Sequence, residues 1–394
     1  MYGAFVVEDT AAMTKAYATN GVAYVKETEL MLADWYTAPA ESLQNTYLSP
    51  ASHGNEPLPD AIVVNNQFSQ TMAIAVSRQE KIRIRVVNAA AMSMYTVAVD
   101  GMPLTVIEVD GNPVKPKDFA SVTLNVGQRV SFILDWSRID PSISALPAVT
   151  FRIKANPEGY RQYNFLDTTA YGLYGSTSGV KFNTRWKGQF QFIGETIPEA
   201  ANNGVYYSYS VLSLAIPKSR FPEPKDINLL EMEPLFPVVV PKKDLNMWYN
   251  ISMQQDSGGV TRGLINNQAY AADVLTHPLL YDYMSANGGP LQELPSYSPG
   301  SYIQGDGVNP YVLPFNRTID VKIVNHDGGH HPVHLHGHTF YVISTSDNPG
   351  TKTPILRDIV SVPPLGWAII RFVADNPGVW MIHCHNDWHM VSKL

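Results

Sequence analysis

Short apolar runs alternate along the chain with turns rich in proline and glycine, and few stretches show the 3.6-residue period of an amphipathic helix. The segment Ile82–Asn88 (IRIRVVN) alternates apolar residues with arginines, which is the period of a strand with one buried face. The segment Ile319–Asn325 (IDVKIVN) repeats this alternation with Asp and Lys at the polar positions. We therefore predict an all-β protein made of β-sandwiches or barrels.

Internal repetition indicates two copies of one architecture. The segment AIVVNNQ ending at Gln67 returns as GLINNQ ending at Gln268, and both are predicted to be strands. Further along, DFASVTLNVGQ from Asp118 matches DIVSVPPLGW from Asp358 in its Asp, Ser-Val and Gly positions. Because the order of these segments is the same in both copies, each copy is predicted to be one domain.

The repeats suggest a domain division. We place one domain at residues 22–197 and a second at residues 244–394. A proline-rich linker at residues 198–243 joins them and is expected to lie on the surface. In the remaining residues 1–21, the segment Gly3–Asp9 (GAFVVED) is predicted to be a lone strand whose sheet partners lie outside the chain.

Composition narrows the class of protein. Charged residues make up only 16% of the chain and the net charge is −7, without clusters of Lys or Arg, so we predict no nucleic-acid partner. No apolar run reaches the roughly 18–20 residues of a membrane span. The N-terminal MYGAFVVED lacks the pattern of a signal peptide, and the single cysteine, Cys384, cannot form an internal disulfide.

The histidines are strongly clustered. Nine of the 11 histidines lie between His326 and His389, and the only cysteine is among them. Sulfur together with imidazole is the ligand set of copper or zinc. Structural zinc sites favour paired cysteines, and a zinc hydrolase needs an open water position with a base, so copper is favoured over zinc. A structural or solvated role is expected for four other histidines: His53, His277, His326 and His330.

Strand parity separates the clustered residues into two predicted metal sites, because successive side chains of a strand point to opposite faces. Cys384 lies on one face of its strand, and its two histidine neighbours lie on the other. The first site is the His₂Cys set of a blue-copper centre, formed by His331, Cys384 and His389. The second is part of an all-imidazole cluster, formed by His334, His336, His383 and His385.

The segments HPVHLHGH from His331 and HCHNDWH from His383, with the lead-in ADNPGVW, resemble the last two copper signatures of the multicopper oxidases. This is the family of laccases and ferroxidases, and the chain is most similar to fungal iron-transport ferroxidases and laccase-like enzymes. The resemblance covers essentially the whole chain. It implies tandem cupredoxin domains of Greek-key topology, of which residues 22–197 carry no copper ligands and residues 1–21 are the remnant of a first domain.

The resemblance also implies a role for each ligand. Type 1 copper would be bound by His331, Cys384 and His389, type 2 copper by His334, and the type 3 pair by His336, His383 and His385. His338 is not a ligand in the family pattern. Family enzymes take single electrons from a substrate at type 1 copper and reduce dioxygen to water at the trinuclear cluster, so the catalytic path implied here is His383, Cys384 and His385.

The first-domain HxH signatures of the family are absent from this sequence. It therefore holds four of the eight imidazoles that the resemblance implies, and we expect this chain alone to be inactive in dioxygen reduction. The complete form is expected to be a multicopper oxidoreductase of ferroxidase or laccase-like type. The alternative is a noncatalytic copper-binding or electron-transfer protein with only a type 1 site.

The resemblance places the type 1 axial position at Leu394, the last residue of the sequence. A noncoordinating side chain there implies a comparatively high potential, since a weak axial ligand tunes the copper. No helix or strand is expected after His389, so we expect the ligand loop to fray as chain ends do.

The electron donor stays open between iron(II) and a phenolic substrate. Glu56 and Asp327 match two acidic positions that bind and guide ferrous iron in the fungal ferroxidases, and a ferroxidase would have an iron permease as its partner. The third acidic position falls on Glu231 or Glu233. Laccase-like phenol oxidases share much of the same framework.

The family implies an extracellular or cell-surface location. Two glycosylation acceptor triplets, at Asn250 and Asn316, are consistent with a secreted glycoprotein. We rely mainly on the family for this expectation, because such triplets are common by chance.

Overall fold

The computed structural model describes residues 3–68, 73–142, 144, 148–156, 173–175, 181–183, 185–193, 229–270 and 311–394. Strands dominate these residues and helices are few, which confirms the all-β class. Three α-helices are described: α1 (Ala11–Thr19), α2 (Ala40–Tyr47) and α3 (Asp387–Val391). None of the described helices has the length and apolar composition that crossing a membrane requires.

The first half of the chain contributes β1 (Lys26–Trp35), β2 (Ala61–Val64), β3 (Ala73–Val76), β4 (Lys81–Asn88), β5 (Met94–Val99), β6 (Leu104–Val109), β7 (Asn112–Phe119), β8 (Val122–Leu124), β9 (Arg129–Asp135), β10 (Ala148–Asn156), β11 (Leu173–Gly175), β12 (Lys181–Asn183) and β13 (Arg185–Phe192). The second half contributes β14 (Leu245–Gln255), β15 (Thr261–Ile265), β16 (Thr318–Asn325), β17 (His331–Leu335), β18 (Phe340–Thr345), β19 (Leu356–Arg357), β20 (Ile359–Val362), β21 (Trp367–Val373) and β22 (Ile382–Cys384).

Two six-stranded sheets have the same topology. Their strand orders are β2-β1-β4-β9-β6-β7 and β15-β14-β16-β21-β18-β19. In each sheet the second and third strands of the order run parallel, and the other neighbours run antiparallel. Each sheet also has a β-bulge at the corresponding strand, β6 or β18. The internal repetition predicted from the sequence is therefore a repetition of one sheet.

The remaining strands form the partner sheets. The order is β3-β13-β10-β5-β8 in one and β20-β17-β22 in the other, and β11 pairs with β12. Strands β4 and β16 carry the alternating patterns of the sequence. Their apolar residues Ile84, Val86, Val321 and Ile323 are almost fully buried.

The apolar residues of the repeated segments form strands as predicted, in β2 and β15, whereas the Asn pairs that follow them form turns. Asn65 and Asn66 have φ values of 49° and 62°, and Asn266 and Asn267 have 52° and 64°. Asparagine tolerates this left-handed region better than most residues, so a two-residue turn ends each strand here.

The described residues form two compact units. The first comprises the described residues of Met1–Thr37, Leu58–Glu158 and Tyr163–Pro237, and the second those of Ala38–Pro57 and Val238–Leu394. The segment Ala38–Pro57 thus belongs to the second unit although its neighbours in sequence belong to the first.

The prediction of a strand at Gly3–Asp9 is wrong. The structure has no regular element there, and α1 follows directly. Thr10 caps this helix by accepting a hydrogen bond from the backbone of Met13, as N-cap residues do. Asp9 is held by side chains, since its carboxylate lies 2.9 Å from Arg83 and accepts a hydrogen bond of 2.7 Å from Tyr24.

Part of the predicted linker belongs to the first unit. Its residues 198–228 lie outside the described residues, and a short 3₁₀ turn spans Leu229–Glu231. The following residues pair with β7, because Lys115 donates a backbone hydrogen bond to Glu233 and Leu235 donates one to Pro113.

Candidate metal centre

The central strand of the three-stranded sheet, β17, pairs with β22 in a register that places Val333 opposite Cys384 and His334 opposite His383. Because side chains alternate along a strand, Cys384 shares a face with Val333 and His331, while His334 shares the other face with His383. The ladder therefore places the side chains of the two predicted sites on opposite faces of one sheet.

One face brings a thiol and two imidazoles together. Sγ of Cys384 lies 3.2 Å from Nδ1 of His389, and the ring centroids of His331 and His389 are 4.5 Å apart. One ligand atom from each of the three residues lies within 4.8 Å of the other two, and all three residues are buried. Atoms bound at about 2.0–2.3 Å to one ion are separated by up to roughly 4.5 Å, so the three residues can share a metal.

The thiol of this cluster loses its proton readily, and the imidazole of His389 lies between two anionic groups. Burial raises the pKa of the Cys384 thiol, but the charge of His389 and the nearby His331 outweigh burial and lower the pKa to about 6. Burial lowers the pKa of His389, but the Cys384 thiolate and the Glu56 carboxylate raise it well above its usual range. The thiolate is the form of cysteine that binds a metal.

Each imidazole of the cluster contacts a carboxylate through its Nε2 atom. Oδ2 of Asp327 is 3.2 Å from Nε2 of His331, and Oε1 of Glu56 is 2.8 Å from Nε2 of His389. Burial raises the pKa of Asp327, but the hydrogen bond and charge of His331 outweigh it and lower the pKa to about 2. Such contacts orient an imidazole by fixing which ring nitrogen is available.

The donor set fits copper. Nδ1 of His331 is buried without a hydrogen-bond partner among the described residues, on a ring whose Nε2 already contacts Asp327. Because this nitrogen belongs to the cluster with Cys384 and His389, it is available to a shared metal. One thiolate with two imidazoles is the set of a blue-copper centre, and the chain has no second cysteine for a structural zinc site.

The opposite face carries the imidazole cluster. The Nε2 atoms of His336 and His383 are 3.0 Å apart, and the ring of His334 lies 4.7 Å from that of His336. The ring of His385 lies 5.7 Å from that of His383. Nδ1 of His334 is 2.7 Å from the carbonyl oxygen of Asp358, to which it donates, so its Nε2 is the nitrogen available to a metal.

Burial favours the uncharged form of two of these imidazoles. It lowers the pKa of His383 to about 4 and also lowers the pKa of His336. Neutral imidazole is the form that binds a metal. The four rings lie close enough together to contribute ligands to a further metal site.

His338 lies beside this cluster but is packed differently. Its Nδ1 is 3.3 Å from the carbonyl oxygen of His336, and its ring contacts Phe372 and Trp380 with centroid distances of 5.2 and 6.0 Å. It lines, together with His334, a cleft of about 550 Å³. These are the contacts of a packed side chain.

The other histidines lie apart from both clusters. His53 and His326 are exposed, and Nδ1 of His330 is 3.0 Å from the hydroxyl of Ser361. His277 lies outside the described residues.

The expectation that nothing holds the segment after His389 is wrong. His389 lies within α3, and the backbone of Leu394 donates a 3.0 Å hydrogen bond to the carbonyl of His389. Gly263 of β15 donates a 2.7 Å hydrogen bond to Ser392, so a strand of the same unit binds this segment. Leu394 is buried beside Gly263.

The segment Ala38–Pro57 supplies part of the site, and of its residues the sequence had singled out Glu56 alone. Its helix α2 places Tyr47 against Trp388 of α3, edge to face at 5.6 Å. Its last residues place Glu56 against His389 and 3.2 Å from Asn386. Asn386 and Tyr47 were not singled out from the sequence, since neither belongs to a metal-ligand pattern.

The two candidates for a third iron-site acid belong to the first unit. Glu231 is 3.2 Å from Lys117, and Glu233 is 2.5 Å from Lys115. Each carboxylate is therefore already paired with a lysine of β7.

Comparison with known proteins defines the family. Sequence patterns described as multicopper oxidase match residues 26–162 and residues 276–394. The chain belongs to the multicopper oxidase family, which uses copper at type 1, type 2 and type 3 sites.

Among relatives, the iron transport multicopper oxidase fio1 of Schizosaccharomyces pombe is 28% identical over 390 residues, which are 94% of this chain and 54% of that protein. Laccase-4 of Thanatephorus cucumeris is also 28% identical over 390 residues, which are 93% of this chain and 62% of that protein. This chain thus spans a little over half the length of these curated relatives.

Solved structures share the fold. The crystal structure of Fet3p, described as a multicopper oxidase that functions in iron import, matches with a TM-score of 0.72 at 22% identity, over 94% of this chain and 65% of that one. The laccase from Botrytis aclada matches with a TM-score of 0.64 at 19% identity, over 94% of this chain and 63% of that one. These matches confirm tandem cupredoxin-type architecture.

Proposed function

We propose that the second unit holds a type 1 copper on His331, Cys384 and His389 and takes up single electrons from a reducing substrate. The observation that carries this proposal is the convergence of a buried thiol and two buried imidazoles within 4.8 Å. Bound copper would supply one-electron redox chemistry. The chain's own residues hold the thiolate, orient both imidazoles through carboxylates and exclude water by burial.

The second part of the proposal is the path of electrons. Peptide bonds join Cys384 to His383 and to His385. Because successive side chains of a strand point to opposite faces, each bond connects the thiol on one face of the sheet to an imidazole on the other. His334, His336, His383 and His385 would provide four ligands for the type 2 and type 3 coppers. The complete protein would couple oxidation of iron(II) or a phenolic substrate to reduction of dioxygen to water.

Two carboxylates favour iron(II) over a phenol as the donor. Glu56 and Asp327 contact the outer nitrogens of the two type 1 histidines, and Asp327 keeps about a third of its side chain exposed. Carboxylate oxygens bind hard cations, and their negative charge favours the more oxidised cation. A ferroxidase role would bring an iron permease as partner.

An extracellular or cell-surface location belongs to the same proposal. The acceptor residues Asn250 and Asn316 are both exposed, so each could carry a glycan without disturbing the core. Leu394 is proposed as the noncoordinating residue at the type 1 axial position.

The alternative is a noncatalytic copper-binding or electron-transfer protein that uses only the type 1 site. The observation that favours it is that the thiol cluster is complete, while the imidazole cluster contains only four histidines. A chain that turns blue with copper and exchanges electrons, but never reduces dioxygen after a partner domain is supplied, would support this alternative.

The visible spectrum of the copper-loaded chain tests the proposal. Only a thiolate on copper(II) gives the intense blue charge-transfer band, so Cys384→Ser should abolish the band. His338→Ala should keep it, because His338 is packed outside both clusters. A zinc protein would show no band in any variant. A blue Cys384→Ser protein would refute the assignment.

A further inference from the structure

Asn386 occupies the position between His385 and helix α3, and both ends of its buried carboxamide are bonded. Oδ1 accepts a 3.0 Å hydrogen bond from the backbone of Trp388, which caps α3. Nδ2 donates a 3.2 Å hydrogen bond to Oε1 of Glu56. One side chain therefore links the start of the ligand helix to a carboxylate that is distant in sequence.

The oxygen that Asn386 contacts is the one that faces the imidazole. Oε1 of Glu56 lies 2.8 Å from Nε2 of His389. A glutamate side chain has several rotatable bonds and loses conformational freedom when it is held in one place. Among the described residues, His389 and Asn386 hold this carboxylate in place.

We propose that Asn386 is a positioning residue of the electron-entry site, which holds the Glu56 carboxylate against His389 and thereby sets how well the site takes electrons from a cationic donor. This inference rests on the proposed function, since it assigns a role within the same site. It adds a residue that is neither a metal ligand nor one of the candidate iron-binding acids.

The chemistry of a carboxamide suits this role. It presents an acceptor to the helix and a neutral donor to the carboxylate at the same time. Aspartate at position 386 would still cap the helix but would repel Glu56, and serine would cap the helix but is too short to reach Glu56 as well. These two substitutions therefore separate capping from positioning.

Release of Glu56 would have two effects on the site. A carboxylate held against an imidazole increases the electron density on the ring and stabilises the oxidised metal, so its release should raise the midpoint potential. A cationic donor would also lose a fixed negative charge near its point of electron transfer, whereas a neutral donor would not.

The first experiment uses the full chain loaded with copper. We would follow bleaching of the blue band under anaerobic conditions by iron(II) and by a neutral phenol, and measure the midpoint potential. Asn386→Ser should raise the half-saturating iron(II) concentration about tenfold, which corresponds to about 1.4 kcal/mol. It should change the value for the phenol less than about twofold and shift the potential upward.

The matched control is Asn348→Ser. Asn348 is a buried asparagine of the same unit whose Oδ1 accepts a 2.8 Å hydrogen bond from Gly350, two residues further on, as Asn386 does from Trp388. Asn348→Ser should leave the half-saturating concentrations of iron(II) and of the phenol unchanged, and the midpoint potential as well. In a Glu56→Ala background, Asn386→Ser should have little further effect. The proposal would be overturned if Asn386→Ser had the half-saturating iron(II) concentration and the midpoint potential of the wild type. It would also be overturned if the effects of Asn386→Ser and Glu56→Ala on these quantities were fully additive.

A second measurement needs no copper. Unfolding equilibria of the wild type, Asn386→Ser, Glu56→Ala and the double variant form a double-mutant cycle. We expect a coupling of at least about fivefold in the unfolding equilibrium constant, and additive effects would overturn the positioning role. If the copper-loaded wild type is not blue, the proposed function is refuted but the role of Asn386 is not. The double-mutant cycle still decides whether Asn386 holds Glu56.

Discussion

The last residues of the sequence pack against Gly263 so closely that one added methyl group should disturb the thiol cluster. Gly263 donates a 2.7 Å backbone hydrogen bond to Ser392. A Cβ atom at position 263 would overlap with Cβ of Leu394 and lie 3.0 Å from its Cα and backbone nitrogen. Leu394 and Ser392 both donate hydrogen bonds to the carbonyl of His389, so a displacement would reach this cluster residue.

The expected cost of Gly263→Ala follows from these contacts. Non-bonded carbon atoms normally stay about 3.5–4.0 Å apart, so Leu394 must move by roughly 1 Å or more. Overpacking of this kind costs about 1–3 kcal/mol, and a lost hydrogen bond adds about 1 kcal/mol. At roughly 2–4 °C per kcal/mol for a unit of this size, the thermal transition should fall by roughly 4–16 °C. Copper affinity should fall as well, since α3 carries His389.

Thermal unfolding followed by circular dichroism, together with copper titration, measures both effects. Gly328→Ala is the control, because a Cβ at that glycine would meet no atom within 4 Å. If Gly263→Ala unfolds at the wild-type temperature and binds copper with unchanged affinity, the packing of Leu394 against β15 does not support the site.

Three further predictions concern activity and the buried charges. Oxygen-electrode measurements on the copper-loaded 394-residue chain should show no sustained conversion of dioxygen to water, since the chain supplies only four cluster imidazoles. In a full-length parent, Glu56→Ala and Asp327→Ala should raise KM for iron(II) but not for a neutral phenol; equal losses with both donors would mark the acids as structural. Arg83→Met should destabilise the first unit by about 3–5 kcal/mol in denaturant unfolding, because it removes the buried guanidinium that lies 2.6 Å from Glu108 and 2.9 Å from Asp9. Arg138→Met, at a half-exposed ion pair, should cost under about 1 kcal/mol, and equal losses in the two variants would contradict this reasoning.

The sequence predicted the sheets and the division of the histidines because both depend on local periodicity. Alternation of apolar and polar residues in Ile82–Asn88 and Ile319–Asn325 corresponds to β4 and β16, which occupy the same place in two sheets of identical order. The alternation of side chains along a strand also predicted that Cys384 and His383 lie on opposite faces, and the register with β17 places them so. A two-residue period needs no knowledge of distant parts of the chain.

The parts that sequence did not predict depend on contacts between distant residues. Glu56 and Asn386 are 330 positions apart, and nothing in the composition of Ala38–Pro57 indicates that this segment packs with α3. The lone strand expected at Gly3–Asp9 failed for a similar reason. An apolar run forms a strand only beside a free sheet edge, and here Asp9 is instead tied to Arg83.

The two units also show why similar sheets need not share chemistry. In the first unit β5 lies between β8 and β10, just as β17 lies between β20 and β22 in the second. The pair Val97 and Ile153 lies between β5 and β10, where both residues are buried and apolar, whereas the ladder of β17 and β22 pairs His334 with His383. The hydrogen bonds between paired strands come from the backbone, so they form equally well whether apolar residues or histidines occupy the paired positions. Ligand side chains can therefore be placed on one copy of the fold without altering its topology, and the chemistry must be argued from these residues and not from the sheet that carries them.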